Sequence, residues 1–249
     1  MAFLQSALPS IPANPPPNPS RNTTNTPPYE AEDIRSIECW HNFNLDVILQ
    51  RYRDVLTQTR LPSDPLPTSP PRAISSMNPL KMRISEVRRG LRTGFNHLTA
   101  LNEIPGLTCV SLDVGESAMI IDSFKPNMAF FPLDVPMGTG WNRAPGHLKP
   151  SWEWNTTMAA HPVPGVRTEY RQALSQVNWY MKQHHSRYGF ILTDQQLVAF
   201  RRLDDNGHLE LAPPIPFTTD GNAAQPQLTV LLALWYLGML AANDQGDDR

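Results

Sequence analysis

Apolar positions along this chain change their period several times, and each change marks an element. Leu45, Ile48, Leu49, Tyr52, Val55 and Leu56 recur at three- and four-residue steps, the spacing that puts side chains on one face of a helix. Asn44 stands where an N-cap is needed. Ile84, Val87, Leu91, Phe95, Leu98 and Leu101 repeat the period, with Arg83, Arg88, Arg89 and Arg92 on the solvent side. A further helix is expected from Glu169 to about His185, its apolar face built from Tyr170, Ala173, Leu174, Val177, Tyr180 and Met181. Short β-rich runs at 107–113, 118–122, 128–133, 147–154, 188–193 and 196–203 predict strands, the first two joined as a hairpin through 114–117. Asp204-Asp205-Asn206-Gly207 predicts a second hairpin leading into 208–211, because Asn-Gly tolerates positive φ. Residues 228–242 are almost continuously apolar but fall short of the roughly 20 residues that span a bilayer. A helix buried in a protein core is the preferred reading there, and a tail anchor is the alternative.

The order helix, strands, helix, strands, helix predicts an α/β chain: an α+β mixed sheet with flanking helices. Residues 1–28 are rich in Pro, Asn, Ser and Thr and lack the apolar surface that offsets ordering entropy, so a disordered tail is expected. Residues 29–60 read as a helical segment and 61–80 as a proline-rich linker. The main domain runs over 81–245. Whether 29–60 packs on it is left open.

Composition modifies this picture in three places. Of the 26 prolines among 249 residues, 14 cluster in the two stretches expected to be irregular. A formal net charge of −2 argues against coating nucleic acid by bulk electrostatics, while leaving room for a local basic groove. Two distant cysteines, Cys39 and Cys109, make no disulfide framework. With no basic, apolar leader at the start, the expectation is an intracellular protein of cytoplasm or nucleus that meets no membrane. The oligomeric state is not legible.

Three short motifs carry candidate chemistry. Lys125-Pro126-Asn127 is followed after about twenty positions by His147-Leu148-Lys149, and then by Gln176 and Tyr180 at helical spacing. Together they resemble the signature of the PD-(D/E)XK (restriction-endonuclease-like) nucleases: Pro-Asp on one strand, Asp/Glu-x-Lys on the next, and the Gln-x-x-x-Tyr helix of the RecB-like branch. More broadly, 149–152, 176–180 and 187–194 are similar to a group of uncharacterised fungal proteins related to that superfamily. The resemblance covers roughly 84–240. It implies a restriction-endonuclease-like core, a Mg²⁺-dependent site if the protein is active at all, and Lys149, Gln176 and Tyr180 as catalytic positions.

The chemistry explains why those residue types are needed. Mg²⁺ polarises a phosphate and lowers the pKa of an attacking water, and as a hard cation it prefers carboxylate oxygens. A lysine two residues beyond the second acid shares its strand face and stabilises developing negative charge. This chain keeps the lysine and departs at both acids, with Asn127 and His147 in the metal-ligand positions. Asp134 is the first candidate for a relocated carboxylate, ahead of Asp122, Asp113, Glu153, Glu86 and Glu103. Arg88, Arg89 and Arg92 are candidate phosphate contacts, though such a run is also an ordinary solvated helix face.

The expectation is a catalytically impaired nuclease-like protein that binds nucleic acid or a protein partner. Two alternatives stand beside it. One is an active metal-dependent nuclease with relocated carboxylates; the other is a non-enzymatic accessory protein of a fungal pathway, secondary metabolism included. Singly, each residue has a blander reading: Lys149 as a strand-end lysine, Gln176 and Tyr180 as a self-supporting helical pair, and the tryptophans as core. The segment 115–119 lacks the final glycine of a Gly-x-Ser-x-Gly nucleophile elbow, and His184-His185 suits a helix end.

Overall fold

The computed structural model describes residues 2–19, 28–58, 73–78, 80–82, 84 and 107–243. In chain order these form β1 (Ser36–Cys39), α1 (Leu45–Gln58), β2 (Val110–Val114), β3 (Met128–Pro132), β4 (Gly146–Leu148), α2 (Pro164–Gln183), β5 (Tyr188–Leu192), β6 (Gln196–Arg202), β7 (His208–Leu211), β8 (Ile215–Pro216) and α3 (Val230–Asn243). One eight-stranded sheet runs β1-β7-β6-β5-β4-β3-β2, with β8 also paired to β6. Its pairs are antiparallel except β4 with β5 and β1 with β7. A parallel pair needs a crossover, and α2 supplies the one between β4 and β5. The class is therefore the expected mixed α/β fold.

Side chains alternate across the sheet, and the two faces bury different helices. Leu112, Met128, Phe130, Leu148, Phe190, Leu192 and Ala199 point into one core with α3. Ile191, Val198, Phe200, Leu209 and Leu211 point into the other, with Tyr170, Ala173, Leu174, Val177 and Met181 of α2. The unbroken apolar run of α3 has a simple cause: Val230 through Ala242 are all buried. Its outer side is covered by Tyr52 of α1, edge-on to Trp235, and by Phe43 against Tyr236. Among the described residues, no helix is long and apolar enough to cross a membrane.

The N-terminal expectations change most. Residues 20–27 lie outside the described residues, but part of the expected tail is packed rather than free: Leu4, Leu8 and Ile11 are buried in the α3 core. Their backbone is satisfied along the way. Thr229 Oγ1 donates to Leu4 O, Gln5 exchanges hydrogen bonds with Gln227 at 3.0 and 2.6 Å, and Leu8 N–H donates to Phe217 O. Residues 29–60 are not a separate helical unit either, since β1 extends the main sheet beside β7 and α1 packs into the same core. Within the expected linker, Ile74 bridges Ala13; residues 61–72 lie outside the described residues. So does most of the expected helix over 84–101, including Arg83, Arg88, Arg89 and Arg92.

Two strands also differ from expectation. β2 pairs along its whole length with β3, from Val110↔Pro132 to Val114↔Met128, not with a strand at 118–122. Asp122 and Ser123 adopt φ of 50° and 64°, a turn geometry that leaves only an isolated bridge, Ile121↔Phe124. β4 stops at Leu148 because Pro150 has no N–H for the ladder, and 151–153 form a turn. α2 begins earlier than read, with Pro164 in its first turn, where the missing N–H costs nothing.

Candidate functional site

The two halves of the motif adjoin β3 and β4: Lys125, Pro126 and Asn127 lead into β3, and His147 and Leu148 end β4 with Lys149 next. The direct pairing of the two strands is minimal: Met128↔Gly146. Asparagine side chains complete it on both sides. Asn142 accepts from Phe130 N–H at 3.1 Å and donates to Met128 O at 3.2 Å. Asn127 Oδ1 accepts from Leu148 N–H at 2.9 Å, tying the segment before β3 to β4. Asn127 is thus pinned to the strand that bears His147 and Lys149.

The loop before Asn127 depends on one glycine. Gly115 N–H donates to Asn127 O at 3.1 Å, and a Cβ at Gly115 would sit 1.9 Å from Pro126 O. The backbones meet too closely for any side chain. Gly115→Ala is expected to cost about 1–3 kcal/mol by overpacking and to displace Asn127. Urea unfolding measures the first; loss of the Leu148 amide's protection from hydrogen exchange reports the second.

His147 lies opposite Ile191, which assigns it to the α2 face. Its ring is 6.5 Å from that of Tyr180, only 7% of the residue is exposed, and Nδ1 has no hydrogen-bond partner. Burial holds its pKa well below the usual imidazole value, and the charges of Lys149 and Lys81 push the same way. The ring is therefore neutral near pH 7. Burial also lowers the pKa of Lys149, opposed by Glu153 and Glu169. On the facing helix Gln176 Nε2 donates to Tyr180 Oη at 3.2 Å, and burial raises the Tyr180 pKa against that bond. His147, Lys149, Tyr180 and Gln176 are in this way linked by ring contact, charge and hydrogen bond, beside a pinned Asn127.

Several participants were not legible beforehand. Tyr29 reaches the cluster from the N-terminal segment: its pKa is pushed up to about 12, by burial first and by Tyr180 second. Its carbonyl accepts from Gln172 Nε2 at 3.0 Å. Lys81 was read only as the edge of a domain, yet its charge acts on His147. Buried Asp194, between the two expected strands, accepts from Ser151 N–H at 2.6 Å and Ser151 Oγ at 2.8 Å. That pair fixes the turn directly after Lys149. Only the position of Asp194 between two apolar strands hinted at a turn-anchoring role.

The donor set does not fit Mg²⁺. Asn127 Oδ1 is already engaged, His147 offers nitrogen, and two ammonium charges act on that ring. Asp134 does not repair the site. It is exposed and lies beyond the far end of β3, a strand about 13 Å long at the usual rise, whereas Asn127 precedes the near end. Asp122 sits in an exposed turn. Asp113 is buried opposite Ala129, and its Oδ1 accepts from Val114 N–H at 2.7 Å. Among the described residues, no group of three or more His, Cys, Asp or Glu is placed to hold a metal ion. Glu86 and Glu103 lie outside the described residues.

The aromatic candidates are structural. Trp154 is fully buried and stacks on Tyr170 at 5.4 Å, Trp152 packs against the α3 core, and Trp179 meets Phe124 edge-on. His184 caps α2 and accepts from Asn142 N–H at 3.2 Å. Burial, then neighbouring His185, lowers its pKa to about 4, so it serves the helix end as a neutral ring and not as a cation.

Val114, Met128 and Leu148, on the α3 side of the same strands, line a cleft of about 250 Å³ with Lys81, Ile84, Gly115, Glu116, Lys125, Pro126 and Asn127. Comparison with family models, with curated proteins and with solved structures finds no match.

Proposed function

We propose that the chain is a relative of the PD-(D/E)XK nucleases that binds nucleic acid and does not cut it. One observation carries the reading. The two halves of the motif meet where the antiparallel neighbours β3 and β4 adjoin, Asn127 just before β3 accepting from Leu148 N–H of β4, with the Gln176–Tyr180 pair on the helix above, while neither metal-ligand position holds a carboxylate. The mixed sheet with a helix on each face supports a restriction-endonuclease-like core. What is left is cationic and neutral: Lys149, two residues beyond an uncharged His147, with the charge of Lys81 also acting on that ring. That set suits attraction of phosphate better than activation of water.

The test is binding of fluorescent single- and double-stranded oligonucleotides at about 50 and 200 mM salt, where phosphate contacts weaken steeply with salt. Salt-dependent binding without cleavage in Mg²⁺ or Mn²⁺ is expected. Cleavage abolished by Lys149→Ala would show an active nuclease instead, and absence of binding at the lower salt would leave a protein partner as the occupant. The double variant Asn127→Asp with His147→Asp restores two carboxylates on neighbouring strands. It is expected to gain Mn²⁺ binding by calorimetry relative to the wild type. No gain would remove the geometric basis of the family reading.

A further inference from the structure

We propose that the cleft on the α3 side of β2, β3 and β4 binds a phosphate monoester attached to a flat apolar group: one nucleotide, free or at the end of a strand. The inference rests on the nucleic-acid reading above and adds a subsite to it. The cleft's lining combines apolar Ile84, Val114, Met128 and Leu148 with polar Lys81, Lys125, Glu116 and Asn127. An anion with an apolar body matches that mixture. A simple anion would leave the apolar lining unused; an uncharged base would leave the two lysines unused.

Size narrows the choice. The cleft measures about 250 Å³, just below the range of roughly 300–1,000 Å³ usual for small-molecule sites. A cleft of that size takes a group no larger than about one nucleotide and excludes a duplex. Its wall is also held in place, because the Gly115–Asn127 backbone bond and the packing of Gly115 on Pro126 O fix the loop that carries Lys125.

Glu116 adjusts the charge. Its carboxylate pairs with Lys125 at 3.0 Å, with both side chains more than half exposed. An ion pair that exposed is weak, so a phosphate dianion can take Lys125 from it. Glu116 thus acts as a competitor for the ligand, which gives the proposal a signature that a merely basic surface lacks.

The experiment titrates the full chain with adenosine 5′-monophosphate, inorganic phosphate and adenosine, followed by calorimetry. The monophosphate is expected to bind tightest. Lys81→Gln and Lys125→Gln should each weaken it by about tenfold, the scale of one charge-assisted hydrogen bond at a partly exposed site. Glu116→Gln should tighten it several-fold, with circular dichroism unchanged in all three variants. A 5′-phosphorylated oligonucleotide compared with its dephosphorylated form separates a strand-end site from a free-nucleotide site. Monophosphate binding no tighter than phosphate, or unchanged in both lysine variants, overturns the proposal. Oligonucleotide binding that persists alongside such a result leaves the broader reading standing, whereas loss of both sinks the two together.

Discussion

Trp154→Ala is expected to lower the unfolding free energy by about 3–5 kcal/mol, the range for truncating a large buried aromatic. The indole is fully buried where the turn after Lys149 meets α2. It stacks on Tyr170 with the ring planes 7° apart, and Nε1 donates to Tyr170 O at 3.2 Å. Truncation leaves a cavity between α2 and the sheet, and the surrounding strands are too well paired to collapse into it. Trp154→Phe keeps an aromatic ring and loses the hydrogen bond, so about 0.5–1.5 kcal/mol is expected. Urea unfolding of both variants separates the terms, and equal losses would mean that packing at this site matters less than the bond. Because Trp154 fixes α2 over the turn, the alanine variant should also weaken oligonucleotide binding at a temperature where it remains folded.

Acidification gives the second large effect. His147 and His184 are both neutral in the folded chain, their pKa values lowered chiefly by burial, to about 4 for His184. Below the ordinary value near 6.5, the unfolded chain takes up protons that the folded chain refuses. The stabilising contribution is therefore complete above about pH 6.5 and is lost as the pH falls toward the folded value. For His184 alone that amounts to about 3 kcal/mol by pH 4, from a folded value of about 4 against the usual value near 6.5. Carboxylates titrate in the lower part of the window, so the informative quantity is the difference from a His184→Gln variant. Its stability should fall less between pH 6.5 and 4.5 than that of the wild type. Parallel slopes would show that His184 is already charged or already exposed in the native state.

Much of the fold was readable from local pattern. The 3.6-residue period marked α1 and most of α2, and the apolar runs at 188–193 and 196–203 became β5 and β6, each one residue shorter. The Asp-Asp-Asn-Gly turn between β6 and β7 formed as its chemistry required, with Gly207 at φ 88°. The failures share a cause: a strand's partner depends on residues distant in sequence. The run at 118–122 has strand composition, but Asp122 and Ser123 turn the chain away and β3 takes its place beside β2. The proline-rich start has the composition of a disordered tail. It is nonetheless held, because Leu4, Leu8 and Ile11 meet an apolar surface on α3 that composition alone does not reveal.

The candidate site divides in the same way. By itself the sequence determined which residue types stand in the motif: a lysine retained at 149, a Gln–Tyr pair at helical spacing, and no carboxylate at 127 or 147. Those are covalent facts, and they already set what metal chemistry the motif can support. Only the tertiary structure decided that Asn127 is tied to Leu148, that His147 is buried and neutral beneath Tyr180, and that Asp134 lies at the wrong end of its strand. Only it brought Tyr29 within electrostatic reach of Tyr180, and Lys81 within reach of His147. Charge and desolvation act through space, so the partners that tune a group are set by packing and not by order along the chain.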